Sequence, residues 1–108
     1  EAVNRKDAVS AESYDKIMLY DGDIISGRVQ NDEFIVVTPY ARLNLNRKDI
    51  KRIETDTSGK RRVVELYSGD RLTGTMPDAE LTVILKVGGG LAVLKMVEVE
   101  SITFARRQ

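Results

Sequence analysis

Leu19-Tyr20-Asp21-Gly22-Asp23-Ile24-Ile25-Ser26-Gly27-Arg28-Val29 returns 47 residues further on as Leu66-Tyr67-Ser68-Gly69-Asp70-Arg71-Leu72-Thr73-Gly74-Thr75-Met76. Five of the eleven positions are identical, and Ser/Thr, Ile/Leu and Val/Met keep their character at three more. A repeat that holds its turn glycines and apolar positions while its exposed positions drift specifies a fold rather than a chemistry. Asp21-Gly22 between two apolar stretches predicts a two-residue type I′ hairpin, whose central residues both take positive φ, and Ser68-Gly69 predicts the same turn in the second copy. In the returning strand Ile25, Gly27 and Val29 share one face, opposite Ile24, Ser26 and Arg28. Gly27 inside that strand marks a bulge or a sharp bend.

Outward from the repeat the pattern stays β. Ile17 to Tyr20 and Asp23 to Val29 form the first hairpin. Phe34 to Thr38 and Ala41 to Leu45 follow across a Pro39-Tyr40 turn, and Ile50 to Glu54 closes the copy. The stretch from Thr55 to Arg61 has no apolar residue and is the connection between copies. The second copy has strands at Val63 to Leu66, Asp70 to Met76, Leu81 to Val87, Leu91 to Leu94 and Val99 to Phe104. Pro77-Asp78 and Gly88-Gly89-Gly90 punctuate them. Ile50-Lys51-Arg52-Ile53 corresponds to Val99-Glu100-Ser101-Ile102, so the likeness reaches the last strand. Residues 1–14 are polar and thinly apolar, an arm or a short helix. Phe34-Ile35-Val36-Val37 and Val83-Ile84-Leu85 are apolar on both faces, which one small barrel cannot bury. Such strands call for tight packing of the two copies, or for self-association or a partner through sheets and edges.

Composition narrows the function classes. Seventeen basic and seventeen acidic residues cancel, whereas a nucleic-acid binder usually carries a positive excess. Hydrophobic residues make up 42%, too many for a disordered chain. No apolar run is long enough to cross a bilayer as a helix. There is no cysteine, so no disulfide supports either half of the 108 residues. A start at Glu1 fits a trimmed chain or a mature exported form.

About five short strands per copy, with tight turns, match an SH3-like or Sm-like barrel. The expected fold is all-β, two tandem small barrels of this kind, with an arm at 1–14, a first repeat at 15–55 and a second at 62–105. Gly69-Asp70-Arg71-Leu72-Thr73-Gly74 and Asp49-Ile50-Lys51-Arg52-Ile53 carry a resemblance to the small β-barrel repeats of exported bacterial proteins of unknown function, over Asp15 to Phe104. That resemblance implies a periplasmic or cell-envelope setting in a Gram-negative bacterium, with the cytoplasm as the alternative. Similarity to the Sm superfamily lies in strand order alone.

Chemistry-bearing residues are few. Without histidine or cysteine the commonest general base, the best neutral metal ligand and the strongest nucleophile are missing. The spacing of Ser26, Ser68 and Ser101 against Lys16, Lys86 and Lys95 suggests no Ser–Lys dyad. Asp21-Gly22-Asp23 lacks the further oxygen ligands of a calcium loop, and the replacement of Asp21 by Ser68 suits a turn, not a metal. No catalytic, metal or cofactor residue is therefore expected. Basic clusters lie at Arg47-Lys48, at Arg106-Arg107, and at Lys51, Arg52, Lys60, Arg61 and Arg62. The last five are the candidate binding surface, although interleaved acids also suit a solvated rim. Tyr20 and Tyr67, at one repeat position beside the turns, would cover barrel ends with their hydroxyls in water. The expected function is a non-catalytic structural or protein-interaction module, acting through a protein partner or self-association. The alternative is an Sm-like RNA-binding protein using Lys51, Arg52 and Lys60 to Arg62. Its Asp-x-apolar-Asn and Arg-Gly signatures are absent.

Overall fold

The computed structural model describes residues 14–77 and 80–105; positions 1–13 of the expected arm or helix, Asp78 and Arg106-Arg107 lie outside them. Ten strands run in chain order: β1 (Asp15–Leu19), β2 (Ile24–Val29), β3 (Glu33–Val37), β4 (Arg42–Asn46), β5 (Ile50–Thr55), β6 (Arg62–Leu66), β7 (Arg71–Gly74), β8 (Glu80–Leu85), β9 (Leu91–Lys95) and β10 (Val99–Thr103). Short 3-10 turns at Arg47–Asp49 and Met96–Glu98 precede β5 and β10, one per copy. The fold is all-β, as the alternation of apolar and polar residues demands.

Every strand pair is antiparallel, and hydrogen bonding runs freely between the copies. Eight strands form one sheet in the order β7-β6-β5-β10-β1-β2-β8-β9, while β3 and β4 form a two-stranded sheet. Thus β1 of the first copy pairs with β10 of the second, β5 pairs with both β6 and β10, and β2 pairs with β8. An isolated bridge from Val37 to Thr75 ties β3 to the end of β7. The arrangement is close to two-fold symmetric about the β5–β10 contact. There Ile53 opposes Ile102, with Arg52 opposite Thr103 and Glu54 opposite Ser101. Leu72, Val64, Ile53, Ile102, Ile17 and Ile25 are successive cross-strand neighbours over six strands. The central four of them are fully buried. They belong to one core cluster drawing on both copies, with Phe34 packed edge-on against Phe104 at 5.7 Å between ring centres. Nonpolar side chains stacked across neighbouring strands are what hold such a sheet together.

The repeat's glycines have distinct jobs. The hairpin turns are not type I′, because among the described residues positive φ is confined to glycine. Leu19 O accepts from Gly22 N at 3.0 Å and Leu19 N donates to Asp23 O at 2.9 Å, with Gly22 at φ 99°. That is a three-residue loop, a type I turn followed by a left-handed glycine bulge. Leu66, Gly69 and Asp70 repeat it with the same two distances, and with Gly69 at φ 98°. Asp21 spans its turn by accepting from Asp23 N through Oδ1 at 2.9 Å. Ser68 Oγ stands in the same place, 3.4 Å from Asp70 N, which is why the two residue types interchange.

Gly27 is where β2 leaves β1 and takes up β8, since it opposes Asp15 on one side and Leu85 on the other. A Cβ there would collide with Ile84 O and lie 2.7 Å from Val83 Cγ1. Gly74 repeats the crossing, its absent Cβ directed at Val37 O. The bend expected at this glycine is therefore a close passage of one copy's strand against the other's.

The two strands predicted to be apolar on both faces resolve differently on their two sides. Phe34, Val36 and Val83 are buried, whereas Ile35 and Ile84 remain 39% and 40% exposed.

Candidate binding groove and a free strand edge

Arg62, the first residue of β6, faces inward, opposite Thr55 across the β5–β6 pair. Its guanidinium holds the second copy's 3-10 turn in place. Nη2 donates to Met96 O and Nη1 to Val99 O, and Nη1 also donates to Thr55 Oγ1 at 2.9 Å. The Thr55 hydroxyl donates on to Glu100 O at 2.8 Å and accepts from the Tyr20 hydroxyl at 2.7 Å. Burial lowers the guanidinium's pKa, and the electrostatic influence of Tyr20 opposes that shift. Its acceptors are neutral, so they satisfy hydrogen bonds and leave the positive charge uncompensated.

Beside Arg62 opens a groove of about 630 Å³. Lys60 and Lys95 line it as further cations and Glu80 as the one acid among its described residues. Met76, Met96, Val97 and Tyr20 supply its apolar surface. Among the described residues none of the three cations has a carboxylate within salt-bridge distance; the ion pair found is Arg52 with Glu54, at 3.6 Å on the opposite face of the sheet. That pair is about two-fifths exposed on each side, where such contacts contribute little.

The predicted surface is thus divided. Lys60 and Arg62 share the groove, while Lys51 is exposed on β5, Arg52 points to the other face, and Arg61 borders a separate hollow with Thr38 and Thr73. Lys95, Met76, Met96 and Val97 join the groove without having been expected there. One signal in the sequence marks them: Lys95-Met96-Val97 stands where the first copy has Asn46-Arg47-Lys48. Arg47 of that copy is spent internally, donating to Val29 O at 2.6 Å. Arg62 itself corresponds to Asp15, a buried carboxylate that accepts from Val29 N and Ala105 N, each at 2.8 Å. Tyr20 and Tyr67 do not leave their hydroxyls to water; Tyr67 donates to Phe104 O at 3.1 Å as Tyr20 does to Thr55.

The second exposed feature is β9, the last strand of the large sheet. Leu85 N donates to Gly90 O at 2.8 Å. With the antiparallel period of two, Ala92 and Leu94 then bond to β8 and Leu91, Val93 and Lys95 turn their N–H and C=O groups to the open side. Among the described residues nothing bonds to that side. Leu91 is 67% and Val93 56% exposed, next to Ile84 across the hairpin. The equivalent positions on β4 are Arg42 and Asn44, and Asn44 is bonded to Glu33 at 3.2 Å.

In the β5–β6 hairpin, Asp56 Oδ1 accepts from Ser58 Oγ at 2.6 Å and from Ser58 N at 3.1 Å. The Ser58 hydroxyl is the main cause of a lowered Asp56 pKa; desolvation opposes it, and backbone donors of Arg61, Ser58 and Gly59 reinforce it. These bonds make the carboxylate a loop fastener. No helix among the described residues is long and apolar enough to cross a membrane. No family model, curated protein or solved structure matches the chain.

Proposed function

We propose that the protein is a non-catalytic assembly module of the bacterial cell envelope that associates with itself through β9. The observation that carries this reading is the outer edge of β9, where backbone groups without a partner among the described residues coincide with the exposed side chains of Leu91 and Val93. Exposed apolar edges pair with other strands unless a protein blunts them, and the first copy's counterpart is blunted by Arg42 and Asn44. An antiparallel β9–β9 junction with its axis between the two Ala92 residues sets Leu91 against Val93 of the second copy, twice over. It also places Lys95 opposite a glycine, Gly89, so that no like charges meet. Such an isologous contact closes as a dimer.

The pattern of pairing supports reading the architecture as two SH3/Sm-like small barrels that exchange strands. One would combine β1, β2, β8, β9 and β10, and the other β3 to β7, leaving β9 and β4 as equivalent outer strands. The absence of histidine and cysteine suits a role without catalysis. The envelope setting rests on the resemblance of the repeat to exported barrel repeats.

Light scattering across a concentration series tests the reading. The wild type is expected to weigh twice the 12.1 kDa chain mass, and Leu91→Lys with Val93→Lys to weigh 12.1 kDa at unchanged thermal stability. A wild-type monomer at every concentration, or a dimer indifferent to both substitutions, overturns it.

A further inference from the structure

We infer that the groove bounded by Lys60, Arg62 and Lys95 binds an extended peptide segment in which carboxylate side chains alternate with apolar ones. The site shares Lys95 with the end of β9 but does not depend on self-association.

Three observations converge on that ligand. Arg62 is half-buried, and its hydrogen-bond acceptors Met96 O, Val99 O and Thr55 Oγ1 carry no net charge. A partly desolvated cation of this kind attracts an anion, and guanidinium binds carboxylate more strongly than it binds neutral acceptors. Lys60 and Lys95 extend the positive field, since both are exposed and, among the described residues, unpaired. Between them lies apolar surface from Met76, Met96 and Tyr20, and unbranched methionine adapts to varied side chains.

Size and charge select among anions. About 630 Å³ of open groove is in the range of a ligand site and accepts a few residues of extended chain. A nucleic acid presents phosphate at every step, and Glu80 on the wall opposes it while the chain as a whole carries no excess charge. For a peptide, the same Glu80 can accept a backbone or side-chain N–H. The feature is also confined to one half of a nearly symmetric molecule. At the equivalent positions the other half has Asp15, Asn46 and Arg47, of which Asp15 and Arg47 are engaged internally.

Fluorescence anisotropy with labelled hexapeptides alternating glutamate with leucine, valine or methionine tests this at low and moderate salt. Glutamine-for-glutamate peptides, a labelled oligothymidylate and phosphatidylglycerol vesicles serve as the comparison arms. At least one acidic peptide is expected to saturate, and its glutamine counterpart to bind at least ~10-fold more weakly, a factor worth about 1.4 kcal/mol. Lys60→Glu with Lys95→Glu should lower acidic-peptide affinity at least ~10-fold, because both residues lie on the surface and their loss leaves the core intact. Lys60→Glu alone, a change that lies off β9, is expected to weaken the acidic peptide in the same direction while leaving the unfolding midpoint and the mass by light scattering unchanged, which separates this site from the β9 edge. Failure of every acidic peptide to saturate below about 1 mM overturns the inference. So does equal binding of the glutamine peptides, indifference to the double substitution, or binding confined to the oligonucleotide or the vesicles.

Discussion

Replacing Gly27 by alanine adds one methyl group at the point where the first copy's β2 meets the second copy's β8. An ideal Cβ there lies 2.7 Å from Val83 Cγ1 and closer still to Ile84 O. Nonpolar carbons rest about 3.5–4.0 Å apart, so the strands must separate by nearly 1 Å to admit it. The atom in the way is a backbone carbonyl, which no rotamer change can move. Separation strains the bonds that flank the crossing, Lys86 N to Ser26 O at 2.9 Å and Gln30 N to Thr82 O at 2.7 Å. Overpacking costs about 1–3 kcal/mol, and each weakened hydrogen bond up to about 1 more. Alanine recovers roughly 0.5–1 kcal/mol by stiffening the unfolded chain. The net expectation is a loss of about 3 kcal/mol, a large part of the roughly 5–15 that folding yields in total. In urea, with a slope near ~2 kcal/mol/M, the midpoint should fall by about 1.5 M. Gly74→Ala meets Val37 O in the same way and should lose a similar amount. Gly90→Ala is the control, since nothing lies within 4 Å of its Cβ position and its φ is ordinary. If Gly27→Ala and Gly90→Ala unfold at the same urea concentration, the strands do not cross as described.

Two further outcomes can be checked independently. Asp15→Ala leaves the buried N–H of Val29 without its acceptor and frees Ala105 N, so it should cost about 2 kcal/mol in the same urea assay. A variant as stable as wild type would mean that the carboxylate does not hold those two groups. Asp56 should titrate below its ordinary value of 3.8 by carboxyl-carbon NMR, and Ser58→Ala should bring it back towards that value. Because the folded pKa is depressed, the loop's contribution is present above the unfolded value and is lost as pH falls through the folded one. A midpoint at or above 3.8 would contradict the hydrogen-bonded loop.

Strand positions were legible in the sequence because the signals are local. Alternation sets which residues turn inward, so Ile25, Gly27 and Val29 face one way as their period of two requires. Turn type was less legible: Asp21-Gly22 is compatible with two loop geometries, and the choice depends on whether Asp21 takes positive φ, which it does not. Pairing was not legible at all. The same apolar faces would be buried whether β2 met β3 or β8, and the selection is made by sequence-distant crossings at Gly27 and Gly74. The candidate surface was half legible for a related reason. Lys60 and Arg62 are two residues apart where the hairpin loop enters β6 and so lie close together, but Lys95 reaches the same groove only through the fold.

Comparison of the copies position by position gives more than either alone. Structural positions are held: the turn glycines, the crossing glycines, and the isoleucines at the β5–β10 axis. Three divergences fall elsewhere. Asp15 became Arg62, Asn46-Arg47-Lys48 became Lys95-Met96-Val97, and Arg42 and Asn44 became Leu91 and Val93. In two independently folded repeats these changes would sit on one repeat's own surface. Here the pairing of β5 with β6 and of β1 with β10 brings Tyr20 and Thr55 of the first copy against Arg62 of the second. The groove is consequently a joint property of both copies, and substitutions in one copy alone suffice to open it on one side of the pseudo-axis. A symmetric scaffold with strands exchanged can therefore carry an asymmetric surface without giving up any of the residues that hold its fold.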